Sequence, residues 1–156
     1  MTIKNPPEGY PVLIPYLLVS DAPAAVSFYE KVFDAKPRLS LKMPDGKIGH
    51  AELELGDGLI MLAEAGTDPN MSAPDKNSSG RSTLIYLPDI DAAIARAVEN
   101  GASLVMPADD MFYGDRFGII RDPFNHIWSL STRIKNVSPD EMQDYLSKNM
   151  MQMGDH

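Results

Sequence analysis

The sequence contains no cysteine among its 156 residues, which excludes a disulfide framework, a thiolate nucleophile and a cysteine-ligated metal. It also has no apolar run approaching the length of about 20 residues needed to cross a bilayer as a helix. Basic residues are scarce: 14 Lys and Arg stand against 22 Asp and Glu, for a net charge of -8, and no basic cluster offsets the excess. An acidic surface repels polyanions, so neither nucleic acid nor a membrane surface is expected as a partner. The first residues lack a basic segment followed by an apolar one, so the cytoplasm is the expected compartment.

The residues that are present suit one compact unit, since 44% of them are hydrophobic and the length allows a real core. Pro6, Pro7, Pro11 and Pro15 favour an extended entry, and the fold is expected to start near Val12. A strand over Tyr16 to Ser20 then meets Asp21, a helix cap, with Pro23 tolerated in the first turn. Ala25, Phe28, Tyr29, Val32 and Phe33 fall on one helical stripe, which predicts a helix over 22–33. Three strands follow, over Arg38 to Met43, Gly49 to Leu55 and Leu59 to Ala63. In the second of these His50, Glu52 and Glu54 alternate with Ala51, Leu53 and Leu55, giving one ionisable and one apolar face.

The same order then recurs. Ser82 to Leu87 reads as a strand, a helix starts at Asp89-Ile90 and ends at Asn100-Gly101, and three strands follow over Ser103 to Met106, Phe117 to Arg121 and His126 to Thr132. Val19-Ser20-Asp21-Ala22-Pro23-Ala24-Ala25 and Leu87-Pro88-Asp89-Ile90-Asp91-Ala92-Ala93 share an apolar residue two before an aspartate and an Ala-Ala pair three after it. Two such phrases, each at a strand-to-helix junction, indicate an internal duplication. The expected fold is therefore α+β: residues 1–135 form a single domain, with one βαβββ module over 12–63, a linker over 64–81 and a second module over 82–132. The linker is polar and turn-rich; a tether is the preferred reading and a flap over a site the alternative. Residues 136–156 hold a C-terminal helix and tail, with Ser138 as cap, Met142, Tyr145, Leu146 and Asn149 on its inner side, and a Met-rich end at Met150, Met151 and Met153.

Pro15-Tyr16-Leu17, Phe28-Tyr29, Val32-Phe33, His50-Ala51-Glu52-Leu53, Tyr113-Gly114-Asp115-Arg116 and Asp122-Pro123-Phe124 with His126 and Trp128 occur in an order that resembles the vicinal oxygen chelate superfamily. This is the fold of glyoxalase I, extradiol dioxygenases and bleomycin-resistance proteins, and the pieces resemble its PhnB-like branch most. The resemblance implies a cupped mixed sheet with helices outside and a ligand cavity inside, and a homodimer. It also implies a divalent metal held by His or Gln seven residues before the strand-end aspartate and by Glu seven after the Asp-Pro aspartate. Those places hold Ile14, Ser82 and Ser129, with Met61 as the counterpart in the first module. None is a good ligand for a hard divalent ion, so no cofactor is expected.

The function implied is capture of a small apolar or aromatic molecule in the cavity. Tyr16, Tyr86, Tyr113, Arg116, Phe117 and Ser129 are its candidate contacts, and Trp128 is expected to pack under a helix. The alternative is a metal-dependent lyase, isomerase or dioxygenase with a divalent metal on displaced ligands, His50 and Glu52 joined by His126 or Glu64. His50 and His126 are the candidate catalytic residues. Structural readings stand beside these: His50, Glu52 and Glu54 as a solvated face with partners such as Lys42, His126 packed at its turn or bonded to Asp122, and an Asp115–Arg116 ion pair fixing a loop between Gly114 and Gly118.

Overall fold

The computed structural model describes residues 2–67 and 69–153, and the side chains of Met150, Met151 and Met153, together with His156, lie outside what is described. The chain runs β1 (Tyr16–Val19), α1 (Ala22–Phe33), β2 (Lys36–Lys42), β3 (Ile48–Leu55) and β4 (Gly58–Glu64), then β5 (Thr83–Tyr86), α2 (Ile90–Glu99), β6 (Ser103–Asp110), β7 (Asp115–Arg121) and β8 (Ile127–Arg133), and closes on α3 (Pro139–Met153). The two halves have the same topology. Their sheets are ordered β1-β4-β3-β2 and β5-β8-β7-β6, with the first strand of each parallel to the last. Parallel pairing needs a crossover, which the helix supplies in both halves.

The repeated aspartate phrase is the repeat's start signal. Asp21 (φ -148°, ψ 96°) and Asp89 (φ -150°, ψ 95°) are both extended, and each carboxylate accepts the N–H three residues on, from Ala24 and Ala92, at 3.1 Å. Each satisfies one of the donors a helix start leaves unpaired. Behind the caps, each helix lies on one face of its own sheet and the two helices meet, so that a single core forms around Tyr29, Val32, Leu53, Leu62, Ile90 and Trp128. The opposite face of each sheet carries the exposed side chains, among them Tyr16, Leu41, Leu84 and Tyr86.

One buried carboxylate ties the halves together. Asp122, in the β7–β8 turn, accepts the Tyr29 hydroxyl of α1 at 2.5 Å and the Trp128 indole N–H at 2.9 Å on one oxygen, and the backbone N–H groups of Phe124 and His126 on the other. The Trp128 ring sits 4.6 Å from that of Phe33 and 5.3 Å from that of Tyr29, so it packs under a helix as the strand alternation predicts. The helix is α1, from the other module. Arg96 of α2 adds a bond to the Val32 carbonyl at the end of α1.

Several expectations need correction. Asp115 and Arg116 belong to β7 rather than to a loop, because Asp115 pairs with Arg133 and Arg116 with Thr132 in the β8 ladder. Of the two glycines only Gly114 is a hinge, at φ +98°; Gly118 is in the strand, where an added Cβ would stand 2.9 Å from Ile94 of α2. Strand β6 extends to Asp110 past Pro107, which an edge strand with irregular register tolerates. The 64–81 segment is docked rather than tethering: Asn125 donates to the Pro74 carbonyl and Arg121 to that of Asp75. The inner side foreseen for α3 is shallow, since Tyr145 stacks on Phe112 at 4.3 Å yet both it and Leu146 stay exposed.

Replacing Asp122→Ala leaves four donors without their acceptor, and is expected to cost at least about 3 kcal/mol, read from the urea midpoint. Tyr29 supplies a pH test. Burial, then the neighbouring Asp122 carboxylate, pushes its phenol well above the ordinary value of 10.0, so the stability it confers is fully present below pH 10 and is lost as pH rises beyond it. The Tyr29→Phe protein is expected to show a shallower loss of urea midpoint above pH 10 than the parent chain.

Candidate functional site

The open face of the second sheet is built from alternate residues of β5, β8 and β7. Register sets Leu84, Ser129 and Ile119 in one row and Tyr86, Ser131 and Phe117 in the next. Leu84 and Tyr86 are 51% and 60% exposed, whereas Ser129 and Ser131 beside them are buried. The Ser131 hydroxyl has no hydrogen-bond partner among the described residues, and the Ser129 hydroxyl meets that of Ser82 at 2.8 Å. At the end of the face the buried Asp115 accepts the Tyr86 hydroxyl at 2.8 Å and Arg133 Nη1 at 3.1 Å. Tyr113 stands edge-on to Phe117 at 6.4 Å. The hydrogen bond to Asp115 raises the Tyr86 phenol above its usual range, and burial followed by the Asp115 charge raises that of Tyr113.

Arg116 lies elsewhere. Alternation puts it with Gly118 and Ile120 on the helix side, where Nε and Nη2 grip both oxygens of Asp91 on α2 at 2.7 and 3.0 Å and Nη1 reaches Asp110 at 2.9 Å. The expected Asp115–Arg116 pair is therefore replaced by two separate pairs, Asp115–Arg133 and Arg116–Asp91. Bidentate bonding holds Asp91 below the usual carboxylate range and the guanidinium above its own. Arg116 braces β7 against α2 and does not reach the face that carries Tyr86.

The open face of the first sheet is polar. Glu52 is 3% exposed, so the strand face is not solvated as a simple alternation suggests. It accepts Tyr10 Oη at 2.7 Å and Arg38 Nε at 3.1 Å on one oxygen, and its other oxygen is 2.8 Å from His50 Nε2. Arg38, not Lys42, is the cationic partner, and it also bonds the Gly9 carbonyl and lies 4.3 Å over the Tyr10 ring. The residues before β1 thus strap this face. Burial works to raise the Glu52 carboxyl, but the bonds from His50, Tyr10 and Arg38 outweigh it and hold the group below its ordinary 4.5. Tyr16 Oη is 3.0 Å from His50 Nδ1. His126 spends its Nε2 on the Leu18 carbonyl at 2.7 Å, a contact from the second module to β1, while its backbone N–H bonds Asp122.

Two hollows border these faces. A groove of about 920 Å³ runs between the modules, bounded by Leu13, Phe33, Leu55, Leu84 and Tyr86, with Arg96 at its wall. A second hollow, about 430 Å³, lies beneath the 64–81 segment between Tyr16, Met71, Arg81, Asn125 and His126. The metal positions of the family frame do not fit a divalent ion. Met61 lies opposite Tyr16 in the sheet, and the Ser82 and Ser129 hydroxyls bond each other. Among the described residues no three His, Cys, Asp or Glu side chains are grouped to hold a metal ion, and the displaced set of His50 and Glu52 acquires neither His126 nor Glu64. Glu64 instead accepts, at 3.4 Å, the N–H of Ala22. Asp115 with Arg133, and Tyr10 with Arg38, are the site residues that spacing did not reveal, because their partners are distant in sequence.

Comparison with known proteins agrees with this geometry. A Mycobacterium bovis protein of uncharacterised function is 38% identical over 143 residues, covering 88% of this chain and 93% of its own. The crystal structure of TioX from Micromonospora sp. ML1 superposes with a TM-score of 0.62 at 25% identity, covering 78% of this chain and 98% of that one. An Arabidopsis thaliana gene product superposes at 0.65 with 26% identity over the same share of each. Residues 12–130 match the model of the Glyoxalase/Bleomycin resistance protein/Dioxygenase superfamily, and with two βαβββ modules in this arrangement the chain belongs to that family.

Proposed function

We propose that this protein captures a small apolar or aromatic molecule on the open face of its second module, without the metal that the family frame implies. The observation that carries the reading is the pairing of exposed Leu84 and Tyr86 with the sunken hydroxyls of Ser129 and Ser131. Apolar side chains give the contact area, and a few fixed polar groups orient what they hold. Tyr113 and Phe117 extend the aromatic wall, and the groove of about 920 Å³ that Tyr86 borders has the size of a small-molecule site. Arg116 leaves the contact set and Tyr16 belongs to the other module. A second copy of the chain covers the two open faces, in a cytoplasmic homodimer. The chain's place in the PhnB-like branch rests on its Tyr113-Gly114-Asp115-Arg116 and Asp122-Pro123-Phe124 pieces.

Calorimetric titration with a panel of planar aromatics tests the capture. At least one compound is expected to bind with an affinity unaltered by prior chelation, and Tyr86→Ala or Phe117→Ala to weaken it by about tenfold or more. A panel without a binder, or binding indifferent to both substitutions, would sink the reading. Light scattering is expected to give twice the chain mass of 17.1 kDa.

A further inference from the structure

The residues before β1 are fixed at two points with an open leucine between them. At one end the Tyr10 hydroxyl donates to the buried Glu52 carboxylate at 2.7 Å, and Arg38 bonds the Gly9 carbonyl at 3.1 Å. At the other the Pro15 carbonyl accepts the Met61 N–H of β4 at 3.0 Å. Pro11 and Pro15 favour extended backbone at Tyr10 and Ile14, and alternate residues of an extended segment share a side. The groove of about 920 Å³ follows that alternation: Pro11, Leu13 and Pro15 line it, whereas Val12 and Ile14 do not. Leu13 is 87% exposed. A leucine held between two anchors and left in water contributes its apolar area only when something covers it. Leu84 and Tyr86 of β5, the half-open side chains of the second module's face, line the same groove. A molecule that touches both walls removes three large side chains from water at once. Because the backbone beside Leu13 is already held, little conformational freedom is lost when the molecule arrives.

We propose that the segment before β1 is the second wall of the capture site, with Leu13 as a contact for a neutral aromatic molecule and Tyr10 as the residue that positions it. This rests on capture at Tyr86 and adds a contact from outside the second module. The bond from Tyr10 to Glu52 fixes where Leu13 stands at the groove, and Arg38, which bonds Gly9 and lies over the Tyr10 ring, holds the same end. Glu52 does not line the groove, so the ionised array of the first module takes part in capture without touching what is captured.

The probe is N-phenylnaphthylamine, a neutral aromatic dye that brightens in apolar surroundings, titrated into the full chain. Leu13→Ser is expected to weaken its binding by about tenfold, the scale of one leucine's burial, and Tyr86→Ala by a similar factor. Leu13 is exposed, so its replacement leaves the core untouched, which circular dichroism checks. Hydrogen exchange read by mass spectrometry follows the wall itself. The dye is expected to slow exchange over residues 8–14 of the parent chain, and Tyr10→Phe to speed it about tenfold without dye, the scale of one bond to a charged acceptor. Exchange indifferent to Tyr10→Phe overturns the positioning role. Binding that falls with Tyr86→Ala but not with Leu13→Ser overturns the second wall and leaves capture standing, whereas binding indifferent to both substitutions overturns both. A dye that does not bind at all also overturns the second wall, while the wider aromatic panel decides capture. A Leu13→Ser chain that binds the dye like the parent yet halves its mass in light scattering assigns Leu13 to contact with a second copy, and likewise overturns the proposal.

Discussion

The carboxylate of Asp122 is the constraint on which the arrangement of the two modules depends. It is buried, and a buried charge is tolerated only when donors surround it. Two of those donors are side chains from different halves of the chain, Tyr29 and Trp128, and two are backbone groups of its own turn. The same four bonds therefore shape the β7–β8 hairpin and dock α1 on it. With α1 fixed against Trp128, the helix-covered sides of both sheets turn toward one shared core. The open faces are then the sides left for ligands or a partner.

Those faces have diverged on a common frame. Both sheets set a parallel first and last strand side by side, and both start their helices from an extended aspartate with near-identical torsions. Yet the first sheet fills its open side with an ionised, hydrogen-bonded array that the residues before β1 seal, and the second with apolar side chains and hydroxyls. Two equal modules thus offer two unequal environments: one ionised and hydrogen-bonded, the other apolar with a few hydroxyls. At the positions where the family frame puts a metal stand a thioether, an isoleucine and two mutually bonded hydroxyls.

Much of the fold was readable because its signals are local. The Asp-to-helix phrase, the stripe of Phe28, Tyr29, Val32 and Phe33, and the turn at Asp122-Pro123 each act within a few residues, and the duplication doubled their weight. The alternation that assigned Trp128 to the helix side is equally local. What stayed hidden depends on pairs far apart in sequence. Arg116 meets Asp91, 25 positions away, and Tyr10 covers Glu52 from 42 positions away. A proline-rich entry and a polar linker look alike whether they hang free or lie down on a sheet. Bonds such as those from Arg38 to Gly9 and from Asn125 to Pro74 distinguish the cases here.

Gly114 shows how the second face is held from outside itself. A Cβ at this position would stand 2.2 Å from the Lys135 carbonyl and 3.0 Å from the Arg133 guanidinium, and the residue's φ is +98°. The chain leaving β8 is thus pressed against bare backbone, and the N–H groups of Ile134 and Lys135 both bond the Gly114 carbonyl. That closeness lets Arg133 reach Asp115, which in turn steadies the Tyr86 hydroxyl. The posture of an exposed aromatic ring is accordingly tied, at three removes, to the absence of one side chain, and a methyl group at 114 would press on the Lys135 carbonyl and, through Arg133 and Asp115, disturb a surface it never touches.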